Sequence, residues 1–526
     1  MKKELLMIFV LSCITLSSVF AQNRKITGRV TGAGDGAPLP GVSVSVKGTT
    51  RGVITNTDGK FALIASTGET LQFTFIGYST VTITITAVDD YQVKLQTDTK
   101  LLNEVVVTDS YGTQAKKSYT GAASTVNGAE NENKPYSSPW QALQGEVPGL
   151  NVSSFSGQPG ADIQVRLRGV GSIGAGSNPL YVIDGAIVNA GDISSITNTT
   201  SILSGLNDDD IASITVLKDA SATAIYGSRG SNGVIVIITK KGRPGKTQIR
   251  IDAESGNTEN LPIPEAGRPA TAAQYSTLFR EGLTNAGYPA STVASIADSY
   301  GLNGRSNDWY SLVTRNGQQQ QYNVSASGGG DNTKIFASGG YFKQQATTIG
   351  SDLTRVTGLL NVDHTISKRL SFNLSTNVSN VNQNTPYTGG SFASPVLASF
   401  FLRPFQLAKN PDGSLNTDVT SNTGFNSIYN PLYEVAHNIK HQSETRELGS
   451  GSIKWNIWDQ LNFTSFASAD YVVLEEHQFD NPLIGDGSST NGAGYDNYTR
   501  VFNYSTRNQL DYRYNIPSVE DFYVDN

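Results

Sequence analysis

The sequence predicts a mainly β protein in three folded parts. These are a small antiparallel β-sandwich, a small mixed α/β domain, and an antiparallel transmembrane β-barrel that is incomplete. Three observations lead there. Glycine is abundant (53 of 526 residues), charged residues make up only 16%, and Tyr (23) and Phe (20) far outnumber Trp (4) and Met (2). That mixture suits short strands and polar loops better than helix bundles. Short period-two alternations broken by Gly, Pro, Asp and Thr fill residues 24–98. From Lys246 onward the alternating stretches lengthen to about ten residues, one side apolar and the other polar, the pattern of transmembrane barrel strands.

Composition also excludes several classes. A net charge of −6 lacks the basic face of a nucleic-acid binder. The single cysteine, Cys13, rules out a disulfide scaffold and a Cys-based zinc site. After Phe20 no run of 18 apolar residues occurs, so helical membrane spans are excluded.

Residues 1–21 read as a cleavable signal peptide. Lys2 and Lys3 precede an uncharged apolar run, and Val19, Phe20 and Ala21 place small residues before a cut ahead of Gln22. Lipidation at Cys13 is the alternative. Residues 22–98 supply the sandwich, through runs such as 25–30 (KITGRV), 42–47 (VSVSVK), 59–64 (GKFALI), 71–76 (LQFTFI) and 81–86 (VTITIT). Asp58-Gly59 is a hairpin signal. Residues 99–120 form a linker holding one β-prone run, Glu104, Val105, Val106, Val107 and Thr108. Read from its residues, that run either packs as a terminal strand or adds to the sheet edge of a partner.

Residues 121–242 mix short helices, at 140–145 and 219–226, with strands at 162–168, 180–184, 211–217 and 233–239. Residues 243–526 carry the barrel strands. Leu370, Phe372, Leu374, Thr376 and Val378 alternate with Ser371, Asn373, Ser375 and Asn377, and Leu461, Phe463, Ser465, Ala467, Ala469 and Tyr471 form another face. The polar side would line the lumen, and Tyr and Phe near strand ends would form girdles.

Two stretches carry a family resemblance. VRLRGVGSIGAGSNPLYVIDG (165–185), followed by DIASITVLKDASATAIYGSRGSNGVIVIITKKG (210–242), resembles the plug of TonB-dependent outer-membrane receptors, and more narrowly the SusC/RagA group of Bacteroidetes. Residues 22–98 resemble the carboxypeptidase regulatory-like domain that precedes such plugs. The resemblance marks Arg168, Gly169, Asp184, Gly185, Lys218, Asp219, Tyr226, Gly227, Arg229, Gly230 and Gly233 as plug-signature residues, and residues 104–108 as TonB-box-like. It implies an outer-membrane nutrient transporter without enzymatic activity. Its partners would be TonB, with ExbB and ExbD, a SusD-like surface lipoprotein, an oligosaccharide or peptide substrate, and outer-membrane lipid. A non-transporting receptor or adhesin, or an inactive fragment, is the alternative. The resemblance also implies a 22-stranded barrel with a plugged lumen. Residues 246–526 supply eight or nine strands by count, which is why the barrel is expected to be incomplete.

No catalytic, cofactor or metal site is expected. Gly169-Val-Gly171-Ser-Ile-Gly174 matches a dinucleotide fingerprint, but Asn178 and Pro179 follow where a helix should open. His437 and His441 have the spacing of a helical metal pair, without a third ligand, and a solvated loop is the favoured reading. The run Asp208, Asp209, Asp210 could chelate calcium or cap the next element. Lys218 and Asp219 could pair within the plug, and Arg166, Arg168 and Arg229 with lumen carboxylates.

Overall fold

The computed structural model describes residues 24–33, 36–49, 51–75, 78–96, 106–109, 112–115, 123–130, 138–154, 156–167, 169, 176–188, 193–196, 202–302, 306–386, 394–417, 428–515 and 523–525. The signal peptide with Cys13, and Glu104, Val105 and Arg168, lie outside the described residues. The chain divides into two compact units, 1–106 and 107–526.

The first unit is a sandwich of two sheets. One orders β4 (Lys60–Ala65), β1 (Arg24–Gly32) and β7 (Asp90–Leu95). The other orders β3 (Gly52–Ile54), β2 (Ser43–Val46), β5 (Thr70–Thr74) and β6 (Val81–Thr84). Alternation decides the faces: on β4, Phe61, Leu63 and Ala65 are buried while Lys60, Ala62 and Ile64 are exposed. The Phe61 and Phe73 rings meet edge-on across the core, 5.4 Å apart. Two expectations change. β1 and β7 pair in parallel, so the sandwich is not wholly antiparallel. Asp58-Gly59 closes a tight turn, with Asn56 N–H on the Lys60 carbonyl, but the flanking strands belong to opposite sheets and form no hairpin.

At the division between the units, β8 (Val106–Asp109) and β9 (Gly112–Ala115) make a separate two-stranded ribbon. The plug is a five-stranded sheet ordered β10 (Ala123–Asn127), β15 (Ile211–Leu217), β16 (Val234–Thr239), β13 (Leu180–Ile183) and β14 (Ala186–Val188). A small β11 (Leu150–Ser154) and β12 (Ile163–Leu167) ribbon accompanies it. β16 reads VIVIIT because it is central and covered on both faces. Ile235 and Ile237 join the Trp140 cluster on one side, and Val234 and Val236 join the Tyr226 cluster on the other. The helix expected at 140–145 is a single 3-10 turn, Gln141–Leu143.

The last part is a nine-stranded antiparallel sheet in sequence order. Its strands are β17 (Gly245–Thr258), β18 (Gly317–Gly329), β19 (Thr333–Gln345), β20 (Asp352–Ser367), β21 (Leu370–Asn384), β22 (Ile439–Trp458), β23 (Leu461–Asp480), β24 (Ala493–Asn515) and β25 (Tyr523–Asp525). Among the described residues the sheet does not close on itself. β18–β19, β20–β21 and β22–β23 are joined by tight turns at one end. At the other end, β17–β18 and β21–β22 are joined by long connections carrying helices at Ala272–Asn285, Ala290–Ser299, Trp309–Val313, Pro395–Phe401 and Pro431–His437. No helix among the described residues is long and apolar enough to cross a membrane.

The two faces of this wall differ as alternation predicts. Val324, Ile335, Val356, Leu360, Leu374, Val378, Ile453, Phe502 and Leu510 are exposed on the outer face. Asn323, Asn361, Asn377, Gln383 and Gln442 are buried on the inner one. The opposed rings of Tyr322 and Tyr341 mark one boundary of the apolar band, in register with Thr445, and Trp455 and Trp458 mark the other. The ten steps from Thr445 to Trp455 span about 26 Å at about 3.4 Å per step and about 40° tilt, the height of a lipid-facing band. An exposed Glu447 interrupts that band.

Candidate functional site: the seam between plug and wall

The plug sits against the inner face of the wall, and the seam between them is lined mostly by polar groups. At its centre is the two-residue turn Asp184–Gly185 between β13 and β14, where Ile183 pairs with Ala186. Both residues have positive φ, 46° and 84°, as a type I′ hairpin turn demands. A Cβ on Gly185 would stand 3.1 Å from the Phe466 ring of β23, so the wall approaches the turn closely. The Asp184 carboxylate accepts from Thr239 N–H at 3.0 Å and Thr239 Oγ1 at 2.7 Å within the plug, and from Ser375 Oγ of the wall at 2.9 Å. Ser450 Oγ donates to the Asp184 carbonyl at 3.2 Å. Asn361 Nδ2 donates to Thr239 Oγ1 and to the Lys240 carbonyl, both at 2.7 Å.

A second contact forms where Asn207 caps a 3-10 turn made by Asp208, Asp209 and Asp210. The cap holds the Asp209 N–H on the Asn207 side chain and aims the acids at the wall. Asp209 accepts from Gln321 Nε2 at 2.9 Å and from Asn323 Nδ2. Asp210 accepts from Ser338 Oγ at 2.5 Å. Arg355, 2% exposed on β20, donates to the Ser204 and Leu206 carbonyls at 2.9 and 2.8 Å, and its guanidinium lies 5.0 Å from the Phe342 ring centre. Both carboxylate oxygens of Asp208 are buried without a hydrogen-bond partner among the described residues. Burial pushes the Asp208 carboxyl up to about 7, against the pull of Arg355. It raises Asp210 to about 6, against the Ser338 hydrogen bond. Glu476 of β23 makes a third contact, accepting from Ser194 Oγ, Ser195 N–H and Ile196 N–H at 2.5, 2.9 and 3.3 Å.

At the seam the buried guanidinium is the wall's Arg355, which holds plug carbonyls; a second buried guanidinium, Arg446, pairs with Asp470 within the wall at 2.8 Å. Arg229 is exposed, and Arg166 keeps a buried Nε without a hydrogen bond. Lys218 donates to Ser124 Oγ and the Pro148 carbonyl at 2.8 and 2.6 Å. Asp219 opens the helical turn Ala220–Thr223, Tyr226 is buried in the plug, and Gly227, at φ 64°, breaks the following 3-10 segment. Gly169 and Gly233 also have positive φ, and Gly230 packs against Thr223 and Tyr226. The helical metal pair, already less favoured than a solvated loop, does not form, and the two histidines lie in regular elements. His437 ends a helix and stacks on Tyr433, whereas His441 lies on β22, so the two do not share a helix. Val106, Val107 and Thr108 fall in β8. Sequence reading missed Arg355, Asn361, Ser375 and Glu476, which carry no motif. It also missed the Asp184–Gly185 turn, although an Asp-Gly between apolar runs signalled it. Among the described residues no three of His, Cys, Asp and Glu gather closely enough to hold a metal ion.

A plug held by hydrogen bonds against strands with an apolar outer band is the build of a plugged outer-membrane receptor. Residues 26–107 match the CarboxypepD_reg-like domain and residues 115–234 the TonB-dependent Receptor Plug Domain. The chain is 32% identical to TonB-dependent receptor P3 of Formosa agariphila over 97% of its length and 48% of that protein. It is also 32% identical to TonB-dependent receptor SusC of Bacteroides thetaiotaomicron, over 90% of its length and 45% of that protein. The RagAB peptide importer in its open-open state superposes with a TM-score of 0.65 at 24% identity, over 78% of this chain and 47% of that one. The chain is thus homologous to TonB-dependent receptors that include SusC, and it shares its fold with RagAB. It spans about half the length of the curated relatives it matches.

Proposed function

We propose that this chain serves an outer-membrane importer of oligosaccharides or peptides, energised by TonB with ExbB and ExbD and covered by a SusD-like surface lipoprotein. The observation that carries this reading is the polar seam, because contacts that water can replace allow a plug to move. The likeness to RagAB, a peptide importer, favours peptides as one substrate class. The outward apolar band supports outer-membrane residence. Residues 104–108 serve as the TonB-contact segment, and β8 supports this by pairing only with β9 among the described residues. Strand addition there would supply backbone hydrogen bonds whatever the side chains.

The test is Val106→Pro in the chromosomal gene, which removes a backbone donor from that strand. Uptake of labelled peptides and oligosaccharides should be abolished while surface binding is kept. Uptake at normal rates in that strain would place the coupling segment elsewhere.

A further inference from the structure

The chain has four histidines, and two of them face each other across β22 and β23. His441 and His477 are directly opposed in register, with rings 15° from parallel and centroids 6.4 Å apart. The same row continues to both sides: Asn384 lies opposite His441, Asp352 opposite Asn384, and Asp496 opposite His477. Pleating puts these five residues on the outward face. The row lies four residues past Thr445 toward the long connections, about 10 Å beyond the apolar band.

Hydrogen bonds along the row orient both imidazoles. His477 Nδ1 is 2.5 Å from Asp496 Oδ1. A carboxylate oxygen accepts, so Nδ1 carries the proton. At the other end Asn384 Nδ2 donates to Asp352 Oδ1 at 3.0 Å. That bond orients the amide and turns Asn384 Oδ1 toward His441 Nδ1, at 2.9 Å. His441 is therefore also protonated on Nδ1. In its neutral form each ring then offers an Nε2 lone pair. An imidazole whose Nδ1–H is held by an oxygen acceptor, with Nε2 bare, is poised as a metal ligand. His364 bonds Thr333 Oγ1 at 2.7 Å, and His437 lies on Tyr433 with Nδ1 3.0 Å from its carbonyl. Neither has a second imidazole opposite it among the described residues.

We propose that His441 and His477 form a two-imidazole site on the outer wall for a divalent transition metal of the Zn²⁺, Ni²⁺ or Cu²⁺ class. Asp496 and the Asn384–Asp352 pair hold the rings. Zinc–nitrogen bonds of about 2.0–2.1 Å require the rings to close from their present spacing, and the His477 side chain is 52% exposed, with room to turn. Two protein ligands leave the remaining coordination positions to water or to a donor from another molecule. The site is therefore open.

The test is calorimetric titration of tag-free protein in detergent with Zn²⁺ and with Ni²⁺. One metal per chain should bind. His441→Gln or His477→Ala should remove that equivalent, and His437→Ala should leave it. Asp496→Asn keeps both ligands but loses the carboxylate that holds one ring, and should weaken binding about 10–100-fold. Circular dichroism of each variant checks that the fold is kept. Absence of binding by the unsubstituted protein overturns the proposal, as does an unchanged equivalent in the double His variant. Unchanged affinity in Asp496→Asn overturns it too, because the proton placement that assigns the site would then be wrong.

Discussion

Between the two sheets of the sandwich the buried contact is apolar, made by residues such as Ile26, Val44, Phe61, Leu71 and Phe73. Between the plug and the barrel wall it is mostly polar: Asp184 with Ser375, Asn361 with Thr239, Asp209 with Gln321, and Glu476 with the Ser194 hydroxyl and the 195–196 backbone. Parting the first surface would expose hydrocarbon to water at about 25 cal/mol per Å². Parting the second exchanges protein hydrogen bonds for water bonds, a net loss of about 1 kcal/mol each. Burial of hydrocarbon therefore holds the sandwich sheets together, whereas the seam is held mostly by bonds that water can replace. Leu448 of β22, packed in the Trp140 cluster, is an apolar exception on the wall side.

Arg355 is where this contrast can be broken most strongly. Arg355→Ala leaves the Ser204 and Leu206 carbonyls and the neighbouring acids without their cation. Removing one partner of such a buried network costs about 3–5 kcal/mol. Proteolysis should then cut residues 202–210 well before the plug sheet, and wild-type resistance there would mean that the segment is anchored elsewhere. Leu71→Ala, fully buried in the sandwich, should cost about 3 kcal/mol. Denaturant unfolding should report that loss in the sandwich alone, and a matching loss of plug protection would show that the plug's stability draws on this core.

The smallest expected effect is pH dependence of the seam. Asp208 and Asp210 titrate near 7 and 6 instead of 3.8, desolvation being the leading cause for both. Between 3.8 and those values the folded state holds more protons than the unfolded one, so stability falls as pH rises through this window. Protection of residues 202–210 should be stronger at pH 5 than at pH 8, and Asp208→Asn should flatten the difference. A wild-type profile in that variant would show that another group titrates.

The strands were legible because their faces are. The Phe372, Leu374, Val378 side and the Asn373, Asn377 side of β21 differ in solvent, so alternation survives in the sequence. The plug strands were legible as continuous apolar runs. The seam was not, because an Asn or Ser on a strand reads alike whether it meets lumen water or a plug carbonyl. His441 and His477 are 36 residues apart and meet only through β22–β23 register, whereas His437 and His441 looked paired at helical spacing that the chain does not adopt. The ribbon of β8 and β9 shows no alternation to read.

The turn at Asp184 has a genetic corollary. Its φ of 46° is one that Gly adopts freely and that Asp tolerates. A single nucleotide separates any Asp codon from a Gly codon, so the change to Gly is always within mutational reach. It would keep the backbone of the hairpin and delete the carboxylate that ties β16 and β21 to it. Retention of Asp at this position across generations would therefore register selection on the clasp itself, separated from selection on the turn.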